Sequence, residues 1–268
     1  MQQSLTYKNS TLSYQKSGQG DKVLLLFHGF GQHHRTFAAL TETLSAHYTL
    51  YAFDLFFHGS SQWNDGERPL EKEMWKEIML NFQNEHKIEN FSVLGFSMGG
   101  KFALATLELF PARVEHIFLL APDGIKTSLW YSLATYPLVL REFFKSMILK
   151  PGRLHAITST LHSLRLVDNG LLRFAESQMD TKEKRERVYY SWVVFRHLHF
   201  DMNEIADLIK RHSTKLTLLV GKHDKIITAR NMQALLRHLS DFQLEILDTG
   251  HSGVIAGSIP ILVKSVSQ

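Results

Sequence analysis

The chain has 268 residues, 44% of them hydrophobic, and balances 30 Lys and Arg against 26 Asp and Glu for a formal net charge of +4. That is enough apolar material to bury one sizeable core. With no cysteine there is neither a disulfide framework nor thiol chemistry, and the basic residues form no stripe interleaved with aromatics, so nothing suggests nucleic-acid binding.

In chain order, the amino-terminal stretch MQQSLTYKNSTLSYQKSG lacks a basic patch followed by an apolar run. It reads as two short strands, near 3–7 and 11–16, and not as a signal peptide. A strand at 22–27 (KVLLLF) runs into His28-Gly29-Phe30-Gly31, and a helix is expected at 36–46. The next strand, 48–53, runs into Asp54 to Ser61 (DLFFHGSS), with a helix at 70–87 beyond it. A strand at 91–95 leads into Gly95-Phe96-Ser97-Met98-Gly99, and a helix follows at 98–110. Strands at 115–120, 215–220 and 242–247 and helices at 228–239 and 258–266 complete the pattern. Short apolar runs alternating with helical stretches predict an α/β fold, a mostly parallel eight-stranded sheet with helices on both faces. No apolar run approaches the length needed to span a bilayer, and a soluble, cytoplasmic chain is expected.

Gly-x-Ser-x-Gly between a strand and a helix is the most informative feature. So tight a turn leaves no room for side chains two residues either side of the serine. Glycine at 95 and 99 removes those Cβ atoms. The hydroxyl is then presented at a helix N-terminus, where backbone N–H groups favour developing negative charge. A hydroxyl is a weak nucleophile at neutral pH and needs a base, and the base needs an orienting group. Both lie downstream after strands: GKHDKII at 221–227 holds Asp224, and DTGHS at 248–252 holds His251. Asp123, after the strand at 115–120, is a rival acid, and Asp54 is a third that reads as a loop brace. The histidines are scattered, with no i, i+4 pair beside a carboxylate, which predicts no metal site. No cofactor is expected. His33, His34 and His58 read as surface or structural groups, and Lys101 as solvent-facing.

These blocks, in this order, resemble the α/β-hydrolase superfamily over nearly the whole chain, and GFSMGG at 95–100 is most similar to its haloperoxidase-like esterase branch. The resemblance implies Ser97 as nucleophile, Asp224 as orienting acid and His251 as general base. It implies an oxyanion hole from the backbone N–H groups of Phe30 and Met98, with His28 and Gly29 in supporting roles. Two positions depart from the family pattern. Phe57 stands where the family usually has glycine before His-Gly, and Thr228 stands where it often has proline. Neither bears chemistry, and both read as loop variation.

The long gap between the strands at 115–120 and 215–220 breaks the rhythm. Residues 171–220 contain neither glycine nor proline, and charged residues interleave with apolar ones. In this family an insertion after the sixth strand forms a helical lid, so the expected organisation is a core of 1–124 and 213–268 and a cap of 125–212. That cap holds 14 Lys and Arg against 9 Asp and Glu, while the remainder holds 16 against 17. The excess reads first as a solvated helix surface. Its sharper reading is a set of cations (Arg153, Arg165, Arg173 and Arg196) that meet an acidic substrate group. Apolar cap residues, among them Trp130, Phe143, Tyr189 and Trp192, are expected mainly to pack the cap, with a minority lining an acyl or aryl pocket.

The expected function is a serine hydrolase cleaving a small carboxylic ester through an acyl-enzyme. The alternatives are the same triad used for carbon–carbon bond hydrolysis, perhydrolase or haloperoxidase chemistry or a lyase reaction, and a non-catalytic hydrolase-like binding protein. Serine and not aspartate at 97 disfavours epoxide hydrolase and haloalkane dehalogenase chemistry. Ser252, where carbon–carbon hydrolases commonly have tryptophan after the histidine, weighs against that branch.

Overall fold

A computed structural model of the chain describes residues 2–126, 129–150, 152 and 178–266. Its eight strands are β1 (Gln2–Tyr7), β2 (Ser10–Ser17), β3 (Lys22–Phe27), β4 (Tyr48–Phe53), β5 (Phe91–Phe96), β6 (Val114–Leu120), β7 (Lys215–Gly221) and β8 (Gln243–Leu247). The helices, in chain order, are α1 (Ala38–Leu44), α2 (Lys72–His86), α3 (Gly99–Leu109), α4 (Leu129–Thr135), α5 (Leu138–Leu149), α6 (Lys182–Val194), α7 (Met202–His212), α8 (Ala229–Leu236) and α9 (Val254–Val266). Strands and helices fall where the hydrophobic pattern predicts them.

The sheet order is β1-β2-β4-β3-β5-β6-β7-β8. β2 pairs antiparallel with both β1 and β4, and β4, β3, β5, β6, β7 and β8 are parallel. Parallel central strands are covered on both faces, which is why β5 (FSVLGF) is buried at every position. Alternate residues divide between the two faces. Leu24, Leu26, Leu94 and Phe118 pack with Phe37, Leu40, Val254 and Leu262 on the α1 and α9 side. Phe27 and Phe53 stack on the other side, where Phe27 also meets Trp75 of α2 and Phe102 of α3. Each such buried Leu or Phe stabilises the fold by roughly 1.5–3 kcal/mol. The register pairs Phe27 with both Phe53 and Gly95, and Phe96 with Leu120. The C-terminal ends of the parallel strands therefore share one edge, where loops in such sheets carry ligand chemistry.

The chain divides into two compact units. Unit 1 comprises Met1–Asn64, Glu71–Lys126 and Leu198–Gln268, and unit 2 comprises Asp65–Leu70 and Thr127–His197. This division differs from the expected 125–212 cap at both ends of the insertion and in claiming a remote segment. α7 falls in unit 1 because its apolar stripe, Ile205, Ala206 and Ile209, is buried there. Conversely, Glu67 pairs with Lys145 of α5 at 2.5 Å, and the Leu70 N–H donates to the Val194 carbonyl at 2.8 Å. Those contacts bring 65–70 into unit 2. Unit 2 holds 12 Lys and Arg against 8 Asp and Glu and unit 1 holds 18 against 18, so the whole net charge of +4 belongs to unit 2.

Within unit 2, Phe144, Tyr189, Val194 and Phe195 are buried, whereas Leu138 and Phe143 are exposed. The Arg196 guanidinium donates to the backbone carbonyls of Val193 and Glu67. Arg153, Arg165 and Arg173, and the side chain of Trp130, lie outside the described residues. Among the described residues no helix is long and apolar enough to cross a membrane.

Candidate active site

The turn after β5 is as tight as the sequence requires. Ser97 has φ +50°, in the left-handed region that costs a side-chain-bearing residue roughly 1–2 kcal/mol. A Cβ on Gly99 would lie 2.0 Å from the Phe27 carbonyl oxygen, and one on Gly95 would lie 2.5 Å from the Gly99 oxygen. The strained serine is clamped through its own backbone. Its N–H donates to Leu120 O at 2.9 Å, and its carbonyl accepts from the N–H groups of Gly100 and Asp123, both at 2.8 Å. Strain held this way by surrounding bonds is characteristic of a presented functional group.

Asp224 follows β7 and is buried. Its Oδ1 accepts from the N–H groups of Ile226 at 2.8 Å and Ile227 at 2.9 Å, and its Oδ2 accepts from His251 Nδ1 at 2.6 Å. Burial pushes the carboxyl pKa up, but the His251 bond and the two backbone donors outweigh it, and the net effect lowers the pKa. The acid is therefore an anion at neutral pH.

His251 opens a short 3-10 turn after β8. Because Nδ1 donates to the carboxylate, the neutral ring offers Nε2 as an acceptor. Nε2 lies 3.0 Å from Ser97 Oγ. The Phe96 ring packs against the imidazole, with centroids 5.1 Å apart. The three side chains come from the ends of β5, β7 and β8, and the chain order is serine, aspartate, histidine. Such an arrangement can remove the proton from an attacking hydroxyl and hold the resulting imidazolium.

The expected oxyanion donors are Phe30, in the loop after β3, and Met98, at the start of α3. Among the described residues neither N–H has a hydrogen-bond acceptor. The loop that carries Phe30 is fixed by buried polar bonds. Gly29 N–H donates to Gln32 Oε1 at 3.1 Å. His28 is fully buried, donates from Nδ1 to Gly29 O at 2.7 Å, and accepts at Nε2 from Leu55 N–H at 3.0 Å. Burial drives its pKa down to about 4, so it is a neutral structural group.

Asp54 braces the same region. Its carboxylate accepts from His34 N–H at 2.7 Å, His34 Nδ1 at 2.9 Å and Ser60 N–H at 2.9 Å. Burial opposes its ionisation, but these donors win and lower its pKa. His34 is thus tied to Asp54 and is not a free surface group.

The rival acid, Asp123, is not brought to His251. It pairs with Lys101 Nζ at 3.1 Å, and its Oδ1 accepts from the Gly124 N–H. Lys101 itself is buried at 5% exposure, which corrects the expectation that it faces solvent. Its position in the first turn of a helix buried on nearly every side is the signal that sequence reading passed over.

The two departures from the family pattern also have physical content. Phe57 has φ +69°, so the glycine usual there relieves a left-handed backbone that Phe57 bears with strain. Thr228 caps α8 in a reciprocal box with Asn231, a helix start that serves in place of proline.

Comparison with known proteins places these features in context. Residues 22–258 match the family model described as alpha/beta hydrolase fold. Among curated proteins, the chain is 29% identical over 116 residues to the 1-acylglycerol-3-phosphate O-acyltransferase ABHD5 of Rattus norvegicus, covering 42% of this chain and 33% of that one. It is 33% identical over 108 residues to the pimeloyl-[acyl-carrier protein] methyl ester esterase of Citrobacter koseri, covering 40% of each. The matched stretch thus spans less than half the length of either relative. Among solved structures, a thermophilic esterase from Thermogutta terrifontis superposes with a TM-score of 0.71 at 20% identity, covering 100% of both chains. At that identity the likeness is one of fold.

Proposed function

Because the chain belongs to the alpha/beta hydrolase fold family, we propose that it is a serine hydrolase that cleaves a small carboxylic ester through an acyl-enzyme, with Ser97, His251 and Asp224 as its catalytic residues. The observation that carries this reading is the continuous chain of contacts from Ser97 Oγ to His251 Nε2 (3.0 Å) and from His251 Nδ1 to Asp224 Oδ2 (2.6 Å).

In this mechanism Ser97 Oγ attacks the ester carbonyl as its proton passes to His251 Nε2. Asp224 holds the Nδ1 proton and stabilises the imidazolium. The N–H groups of Phe30 and Met98 receive the developing oxyanion, each donor contributing about 3 kcal/mol in comparable sites. The imidazolium then protonates the departing alkoxide. A water molecule, deprotonated by the same Nε2, releases the acid and restores the serine. The esterase-named relative supports the choice of ester substrate. Unit 2, which carries the net positive charge, is proposed as the inserted cap.

The test is labelling with a fluorophosphonate probe, together with turnover of p-nitrophenyl acetate. Covalent capture mapped to Ser97, and loss of both capture and turnover in Ser97→Ala, are expected. Undiminished turnover by that variant would end the proposal.

A further inference from the structure

Outside the triad, the loops after β3 and β4 bring together a second group of chemically competent side chains. We propose that His33, His34 and Asp54 bind a single divalent transition-metal ion of the zinc class. One ligand atom from each of the three lies within 4.8 Å of the others. Two imidazole nitrogens and one carboxylate oxygen form a borderline donor set that suits Zn2+, Co2+ or Ni2+ and not the hard, all-oxygen preference of Ca2+ or Mg2+.

The carboxylate half of the site is already built. Asp54 is fully buried, and the backbone N–H groups of His34 and Ser60 fix its two oxygens. Outer hydrogen bonds of this kind orient a ligating carboxylate before an ion arrives. His34 Nδ1 and Asp54 Oδ1 stand 2.9 Å apart with one proton between them. Ligands bound to one ion at 2.0–2.2 Å lie a little farther apart than that, so a small opening admits the ion. The ion takes the proton's place: the Nδ1 proton leaves to solvent as Nε2 takes one up, and the neutral imidazole and the carboxylate form coordinate bonds from Nδ1 and Oδ1, with no net change in protons.

His33 supplies the third bond. It is exposed, and among the described residues its ring meets a long contact from Arg35 N–H (3.4 Å) and the edge of His34, 5.5 Å between centroids. It therefore closes on an ion without breaking packed structure. Arg35, two residues on, is exposed. Solvent completes the coordination shell.

This inference does not rest on the hydrolase reading, and its test reads binding alone. The full-length chain is stripped with a chelator and titrated with Co2+ by visible absorption and with Zn2+ by calorimetry. One saturable equivalent is expected. His33→Ala should weaken binding about tenfold or more, the scale on which even outer-shell partners act. His47→Ala, which removes an exposed histidine elsewhere, should bind as the parent does. His34→Ala serves as a second ligand variant, and His33→Ala keeps the test decisive if loss of the Asp54 bond unfolds the chain. Absence of saturable binding, or an unchanged midpoint in His33→Ala, overturns the proposal.

Discussion

Asp224→Asn is the sharpest perturbation of the candidate site, because the surrounding bonds dictate how the new side chain must sit. Oδ1 of Asp224 is held by two backbone donors, Ile226 N–H and Ile227 N–H. An asparagine can satisfy both only by placing its amide oxygen there. Its NH2 group then faces His251 Nδ1, which at present donates to Oδ2 at 2.6 Å. To avoid a clash of donors the imidazole must carry its proton on Nε2, directed at Ser97 Oγ. A base so arranged cannot accept the serine proton, and the buried charge that stabilises the imidazolium is lost as well. Triads converted to this tautomer lose about 10^4-fold in kcat, or about 5.5 kcal/mol at 1.36 kcal/mol per tenfold. The assay is p-nitrophenyl acetate turnover alongside the rate of fluorophosphonate labelling, on protein whose circular dichroism matches the parent. The companion variant, Asp123→Asn, should act differently. It removes the carboxylate charge that pairs with the buried Lys101 ammonium, so it should lower stability while leaving the His251 tautomer intact. A folded Asp224→Asn protein that retains about a tenth or more of parental kcat, or an Asp123→Asn protein that loses as much as Asp224→Asn, would refute the assignment of the acid.

Two further outcomes concern stability. His28 and His116 both have their pKa driven by burial from the usual 6.5 down to about 4. Between those values the unfolded chain binds more protons than the folded one, so the stability they confer is complete above pH 6.5 and drains away as pH falls toward 4. Each contributes up to about 1.4 kcal/mol per pH unit across that window. Below it, Asp54 and Asp224, whose folded pKa values are lowered, add to the loss. Urea unfolding at a series of pH values should show this slope, and a flat profile from pH 7 to 5 would contradict it. Separately, Ser213 ends α7 in the left-handed region with φ +54° and is exposed. Ser213→Gly should relieve that strain and stabilise the chain by about 0.5–1 kcal/mol after the glycine's greater unfolded entropy is set against it, readable as a higher urea midpoint with an unchanged m-value.

What the sequence disclosed and what it concealed divide along a physical line. The eight strands were legible because buried parallel strands read as short apolar runs, and the placement of Ser97, Asp224 and His251 near strand ends because each lies just after β5, β7 or β8. The demand for glycine at 95 and 99 was legible for the same local reason. Contacts between distant segments were not. Nothing in the spacing of Asp54 and His34, 20 residues apart, announces their bond, and a search for i, i+4 ligand pairs passes over a cluster whose carboxylate comes from the loop after a different strand. Lys101 looked exposed because lysine usually is, yet its ammonium finds Asp123 across the turn after β6. The division into units also departs from the expected 125–212 boundary at α7, whose charged last turn, Lys210-Arg211-His212, hides an apolar, buried face from a reading of the sequence.

The segment Asp65–Leu70 carries a practical consequence for rebuilding this molecule. Unit 2 is not a single excursion of the chain, since Asp65–Leu70, which precedes Ser97 in sequence, also belongs to it. A chimaera that transplants only 127–197 from another member of the family would leave Glu67 facing a foreign helix in place of Lys145 and Arg141. Domain shuffling at this junction must exchange both pieces together, and a deletion intended to leave unit 1 alone must shorten two loops, not one.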